Sequence, residues 1–315
     1  MPKKPEPRGL VPAKPAKHEI TVTEPASDAL TGYLSGNTKR AYARDIKDFF
    51  KITDLSKLTM GQVKAVNPRD VAAFRDKLIA DGMKPSTIQR KLSAIRSVYN
   101  YLMTVGAITV NPAHPKLVRA PKKPSVRKTD IITWDDAIRI LKSVDQSTPI
   151  GRRNYTLLLL SLNLGTRRSE LLKIQLDDMK HGPEGDYVYI KGKGEKERFI
   201  FLRPDIKASI NEYMKDRGDE PGPLFPGRKK ELDGSQFWRI VKLYAEKAGL
   251  KDIHPHSLRA AFITLAHQKG IPVGDIQKTV GHSRGETTLS YVRDLEMIKT
   301  SATKALKGLS ADREQ

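Results

Sequence analysis

Tyr187 to Leu202 reads YVYIKGKGEKERFIFL. Two runs of β-branched and aromatic residues flank a Gly-Lys-Gly turn, the pattern of a β-hairpin. The stretches around it read as helices, so this segment sets the fold class: mainly α with a small β-sheet. Lys193 sits at the tip of the expected hairpin, where neighbouring glycines permit a close approach to a ligand. Lys196 is near enough to compete for the same role. The turn lacks the spacing of a nucleotide-binding loop, so alone it decides nothing.

Working outward, TWDDAIRIL opens a helix capped by Thr133, with Asp135 and Asp136 in its first turn where they complement the helix dipole. Downstream, DIKASINEYM, SQFWRIVKLYAEKAGL and HSLRAAFITLAHQKG add three more helices. Nearer the N-terminus, NTKRAYARDIKDFF places Tyr42, Ile46 and Phe49 at helical spacing, with Asn37 or Thr38 as cap. NPRDVAAFRDKLIADG has Asn67 as cap, Pro68 at the first helical position and Gly82 past the end. PSTIQRKLSAIRSVYNYLMTVG turns Ile88, Leu92, Ile95, Tyr99 and Leu102 inward and leaves Arg90, Lys91 and Arg96 outside that stripe, free for phosphates.

Asn111 to Asp130 has four prolines, many Lys and Arg and no periodicity, which is the composition of a linker. These readings divide the chain into a flexible basic tail (1–26), an N-terminal helical domain (27–113), a basic linker (114–130) and a second domain (131–315). After Tyr291, EMIKTSATKALKGL carries Met297, Ile298, Ala302, Ala305, Leu306 and Leu309 on an amphipathic helix, suited either to a neighbouring subunit or to its own domain.

Fifty-seven Lys plus Arg against 36 Asp plus Glu give a formal charge of +21, the balance of a chain that neutralises phosphate backbones. The absence of cysteine excludes disulfides, thiolate zinc sites and a cysteine nucleophile. The apolar run YTLLLLSLNLG from Tyr155 is too short to span a bilayer and reads as a buried helix. The N-terminus has Lys and Pro where a signal peptide needs an apolar stretch, which points to the cytoplasm and, for a bacterial chain, to the nucleoid.

In LGTRRSELLKI, Arg167 and Glu170 stand three apart and share a helix face, whereas Arg168 and Glu170 do not. An arginine fixed by a carboxylate can present its planar fork to a phosphate; the other reading is an ordinary surface ion pair. In HPHSLR, His256 and Arg259 are likewise three apart, a pair suited to an anion. His254 and His256 have no carboxylate or thiolate nearby in sequence to complete a metal set, and no metal or cofactor is expected. Tyr291 follows His282 by nine residues in GHSRGETTLSY. A phenol becomes a nucleophile only beside a base or concentrated positive charge, and otherwise a helix tyrosine packs.

The ordered set GTRRSEL, GKGEKERFIFL, HSLR and GHSRGETTLSY resembles the catalytic signature of the tyrosine recombinases, the phage integrase and Xer-like family. NTKRAYARDIKDFF and STIQRKLSAIRSVYNYLMTVGAITVNPA resemble that family's N-terminal core-binding domain, so the likeness runs from about Asp28 to Ser301. The resemblance implies a helical SAM-like core-binding domain followed by an α+β catalytic domain. It implies that Arg167 and Arg259 grip the scissile phosphate, Lys193 protonates the leaving 5′ oxygen, and His256 handles the tyrosine proton. Glu170 organises the site, His282 hydrogen-bonds the phosphate, and Tyr291 is the nucleophile. It further implies site-specific recombination of double-stranded DNA by a homotetramer, with accessory DNA-bending or directionality proteins as further partners. Lys39, Arg40 and Arg44, then Arg90, Lys91 and Arg96, then Lys122 and Lys123, are the expected DNA contacts outside the catalytic set. Thr166, Phe201 and Val292-Arg293 depart from the family pattern without touching a catalytic position. A type IB topoisomerase and a non-enzymatic architectural protein are the competing readings.

Overall fold

The computed structural model describes residues 36–122, 132–192, 197–228, 230–282 and 288–289. The chain divides into two compact units, Met1–Ser125 and Val126–Gln315.

The first unit contains α1 (Gly36–Phe50), a 3-10 turn (Leu55–Lys57), α2 (Met60–Ala65), α3 (Pro68–Ala80) and α4 (Pro85–Thr104). Asn37 and Thr38 lie inside α1, so neither is its cap. Asn67 caps α3 through hydrogen bonds to the amides of Arg69 and Asp70, with Pro68 at the first helical position as expected. Ile88, Leu92, Ile95, Tyr99 and Leu102 of α4 are all buried, in one core with Ile46, Val63 and Val71. The Tyr99 hydroxyl donates to the Val63 carbonyl at 2.9 Å, tying α4 to α2.

The three basic residues on α4 are not free. Lys91 is 7% exposed and pairs with Asp48, and its Nζ lies 3.6 Å from the buried Asp45. Arg90 pairs with Asp45 while keeping 42% of its side chain exposed. Arg96 donates to the carbonyls of Ala113 and Val118, each at 2.7 Å. The physical reason is that α1 packs on α4 with Asp45 and Asp48 facing it, and a buried carboxylate requires a cationic partner. Lys39 is half-buried, Arg40, Arg44 and Lys122 are exposed, and Lys123 lies outside the described residues. The stretch read as linker from residue 114 is held to the first unit as far as Pro121: Val118 is fully buried, and Arg75 and Gln89 donate to the carbonyls of Arg119 and Pro121. The tail and the helix expected after Tyr291 fall outside the described residues.

The second unit runs α5 (Trp134–Lys142), α6 (Pro149–Leu164), α7 (Arg168–Leu171), a 3-10 turn (Leu176–Asp178), β1 (Met179–Gly182), β2 (Gly185–Lys191), β3 (Glu197–Phe201), α8 (Pro204–Arg217), α9 (Gly234–Lys247), α10 (Pro255–Gln268) and α11 (Val273–Val280). The sheet is antiparallel in the order β1-β2-β3, with Val188 opposite Met179 on one side and Ile200 on the other. The expected hairpin is β2-β3; β1 is an additional strand. Thr148 caps α6, and the leucine run Leu157–Leu160 is buried at the centre of the unit's core. Among the described residues no helix is long and apolar enough to cross a membrane.

α6 ends at Gly165, in the left-handed conformation at φ +56. A Cβ there would lie 2.8 Å from Phe262 Cε1 and 2.9 Å from Val280 Cγ1. Only glycine meets both requirements, and the close approach brings the C-terminal ends of α6 and α11 beside α10.

Candidate active site

Four elements bring basic side chains together: the start of α7 (Arg167), β3 (Arg198), the first turns of α10 (His256, Arg259) and the end of α11 (His282). Arg167 occupies the N-cap position of α7, and Glu170 accepts from both its backbone amide at 2.9 Å and its Nη1 at 2.6 Å. The expected pairing three residues apart is present. Arg167 Nη2 also donates to the Gly281 carbonyl at 3.0 Å, while 40% of the side chain stays exposed.

Arg259 is 3% exposed and donates to the carbonyls of Gly165 and, at 2.9 Å, Val280. Those carbonyls lie at the C-terminal ends of α6 and α11, where unpaired oxygens concentrate the negative end of a helix dipole. Two donors of the buried guanidinium are thereby hydrogen-bonded to carbonyl oxygens.

Arg198 was not singled out by the sequence. Its Nη2 donates to Glu170 Oε2 at 2.8 Å and its Nε to the Thr279 carbonyl at 2.6 Å. Glu170 thus serves two arginines. Burial alone would raise its carboxyl, and the hydrogen bonds from Arg198 and Arg167 more than offset this, holding it below its ordinary value. Two guanidiniums on one carboxylate leave the Arg167–Glu170–Arg198 set about one positive charge in excess.

His282 follows Gly281, the left-handed C-cap of α11, and its Nδ1 is 2.8 Å from Thr288 Oγ1. Burial pushes its pKa down to about 4, helped by the positive field of Arg259, Arg167, His256 and Arg198. The imidazole is therefore neutral at pH 7. His254 caps α10, its Nδ1 3.2 Å from the Ser257 amide, so that nitrogen serves the helix. His256 is exposed one residue into the helix.

A cavity of about 230 Å³ is lined by Thr166, Arg167, Arg168, Trp238, His254, His256 and Arg259. It adjoins an open groove of about 1330 Å³ that carries Arg168, Lys173, Arg228, Lys230 and Arg239 against Glu231 and Asp233. The structure thus brings together Arg167, Glu170, His256, Arg259 and His282 of the expected set and adds Arg198. Lys193 and Tyr291 lie outside the described residues.

Residues 131–297 match the phage integrase family, and residues 29–106 match the phage integrase N-terminal SAM-like domain. Tyrosine recombinase XerD of Listeria innocua serovar 6a is 30% identical over 269 residues, 82% of this chain and 88% of that protein. Tyrosine recombinase XerC of Thermodesulfovibrio yellowstonii is 30% identical over 274 residues, 82% and 85% of the two chains. Two solved structures share the fold. A lambda integrase dimer bound to a COC′ core site gives a TM-score of 0.66 at 17% identity, covering 92% of this chain and 77% of that one. XerH recombinase in a post-cleavage complex with a palindromic difH substrate gives 0.65 at 20% identity, covering 84% and 79%. The two matched regions take in both compact units, and the chain belongs to the phage integrase family of tyrosine recombinases.

Proposed function

We propose that this recombinase exchanges strands between specific sites in duplex DNA through a covalent 3′-phosphotyrosine on Tyr291. The observation that carries this reading is the convergence of Arg167, Arg198 and Arg259 on three successive carbonyls, Thr279 to Gly281, ending one residue before His282 and ten before Tyr291. Such a cluster fits a phosphodiester whose equatorial oxygens gain charge as it is attacked, and it is in place before the substrate arrives.

Arg167, partly exposed, and Arg259, held by two helix ends, take the non-bridging oxygens. His282, neutral at pH 7, completes the hold on the phosphate by a hydrogen bond. The Tyr291 oxygen attacks phosphorus as its proton passes toward His256; the bond to the 5′ oxygen breaks, and Lys193 protonates that oxygen. The phosphate remains esterified, so a 5′ hydroxyl from another strand reverses the step without an external energy source. The groove beside the cavity, with five cations against two carboxylates, suits the DNA backbone running away from the scissile phosphate. Strand exchange takes place in the cytoplasm on a homotetramer joining two sites, with accessory DNA-bending or directionality proteins deciding its outcome.

The test is a nicked duplex, built on a site selected by the protein from a random-sequence pool, in which cleavage releases a short strand and traps the adduct. The wild-type chain forms a covalent complex resistant to denaturant, and Tyr291→Phe forms none while still binding. Binding without any adduct, or relaxation of supercoils at every sequence by a monomer, overturns the reading.

A further inference from the structure

The last turn of α11 and its cap offer three successive carbonyls, and each is taken by a different arginine. Arg198 Nε takes Thr279 at 2.6 Å, Arg259 Nη2 takes Val280 at 2.9 Å, and Arg167 Nη2 takes Gly281 at 3.0 Å. His282 is the next residue. The final carbonyls of a helix have no partner within it, so this turn gathers donors wherever the fold supplies them.

Within this set Arg198 differs from the other two. It is absent from the lining of the cavity that Arg167 and Arg259 share, and its side chain is 11% exposed, against 40% for Arg167; Arg259 is at least as deeply buried but borders the cavity. Its planar fork spans two structures that both bear on Arg167: the Glu170 carboxylate, at 2.8 Å, and the α11 turn. Gly281 lies flat against it, since a Cβ at that position would stand 2.8 Å from Arg198 Nη1. A lysine could not reproduce this arrangement, because an ammonium is a point donor without the rigid fork that reaches a carboxylate and a carbonyl together.

We propose that Arg198 is a positioning residue for strand cleavage, locking Glu170 and the α11 turn in one register so that Arg167 and His282 meet the same phosphate. It does not touch DNA itself. The proposal rests on the recombinase reading above. Loss of a charge-assisted anchor beneath a reacting group is felt in the chemical step more than in substrate affinity.

The test uses the full-length chain and the nicked duplex described above, with cleavage rate measured at saturating protein and DNA affinity measured separately. Arg198→Ala lowers the rate by about 10- to 100-fold and changes affinity by less than about threefold. Arg198→Lys falls between Arg198→Ala and wild type, and millimolar guanidinium ion restores part of the Arg198→Ala rate but none of the Tyr291→Phe rate. In a Glu170→Gln background, removing Arg198 costs much less than in the wild type, because the two act as a unit. If Arg198→Ala does not fold by its melting curve, Arg198→Lys carries the same comparison. A wild-type rate in the variants, parallel losses of rate and affinity, or independent effects of Arg198 and Glu170 each overturn the proposal. Absence of an adduct with the wild-type protein overturns the recombinase reading instead.

Discussion

Gly165→Ala tests whether the meeting of α6, α10 and α11 depends on a missing side chain. At φ +56 an alanine costs about 1–2 kcal/mol in backbone strain. Its Cβ would stand 2.8 Å from Phe262 Cε1 and 2.9 Å from Val280 Cγ1. Opening that contact adds about 1–3 kcal/mol, as overpacking in a well-filled core does. The sum is about 2–5 kcal/mol, and with a urea slope of about 2 kcal/mol per molar the unfolding midpoint falls by roughly 1–2.5 M. Gly249→Ala is the control: φ is +77, and nothing lies within 4 Å of the added carbon, leaving only the strain. Its midpoint falls by roughly 0.5–1 M. Both tryptophans, Trp134 and Trp238, belong to the second unit, so fluorescence follows the unfolding of the part that was changed. If the two variants unfold at the same urea concentration, the packing argument at Gly165 is wrong. Cleavage is a second readout, because the Gly165 carbonyl receives Arg259.

Two further outcomes follow from the site's charge. The folded His282 pKa of about 4 lies below the unfolded value of 6.5, so between these limits the unfolded chain takes up a proton that the folded chain refuses. Stability contributed at this position is therefore complete above pH 6.5 and declines as the pH falls toward 4; melting temperatures of the wild type should drop more steeply over that range than those of His282→Gln, and equal slopes would contradict the assignment. In the groove, Lys173→Gln and Arg239→Gln should each reduce the salt dependence of DNA affinity by about one unit of log-log slope, uniformly across sequences. A slope unchanged in the double variant would remove the groove from the DNA path.

Much of this arrangement was legible in the residues. Asn67, Pro68 and Gly82 mark both ends of α3 by chemistry that is local, and the Arg167–Glu170 spacing follows from the helix repeat. Arg198 was hidden because β3 inverts the usual alternation. Ile200 is buried and Arg198 half-buried, while Phe199 and Phe201 are 66% and 52% exposed. A reader who trusts apolar residues to face inward assigns Arg198 to solvent; its register with Ile200, two residues on, was the available signal. Lys91 misled for a different reason. Its partners Asp45 and Asp48 are more than forty residues away, and only the packing of α1 on α4 brings them together. β1 escaped notice because Met179–Gly182 is short and its central residues are the exposed Lys180 and His181. α11 spans only eight residues and contains Gly274, a weak helical signal by length and composition alike.

The way Arg259 is held has a consequence for the range of conditions the enzyme withstands. Peptide oxygens neither gain nor lose a proton in water, and a guanidinium keeps its own until strongly alkaline solution. A hydrogen bond to an aspartate, by contrast, weakens once the carboxylate is protonated. The two bonds that tie Arg259 to amide groups are therefore indifferent to acidification. Mechanical separation of the ends of α6 and α11 would break both.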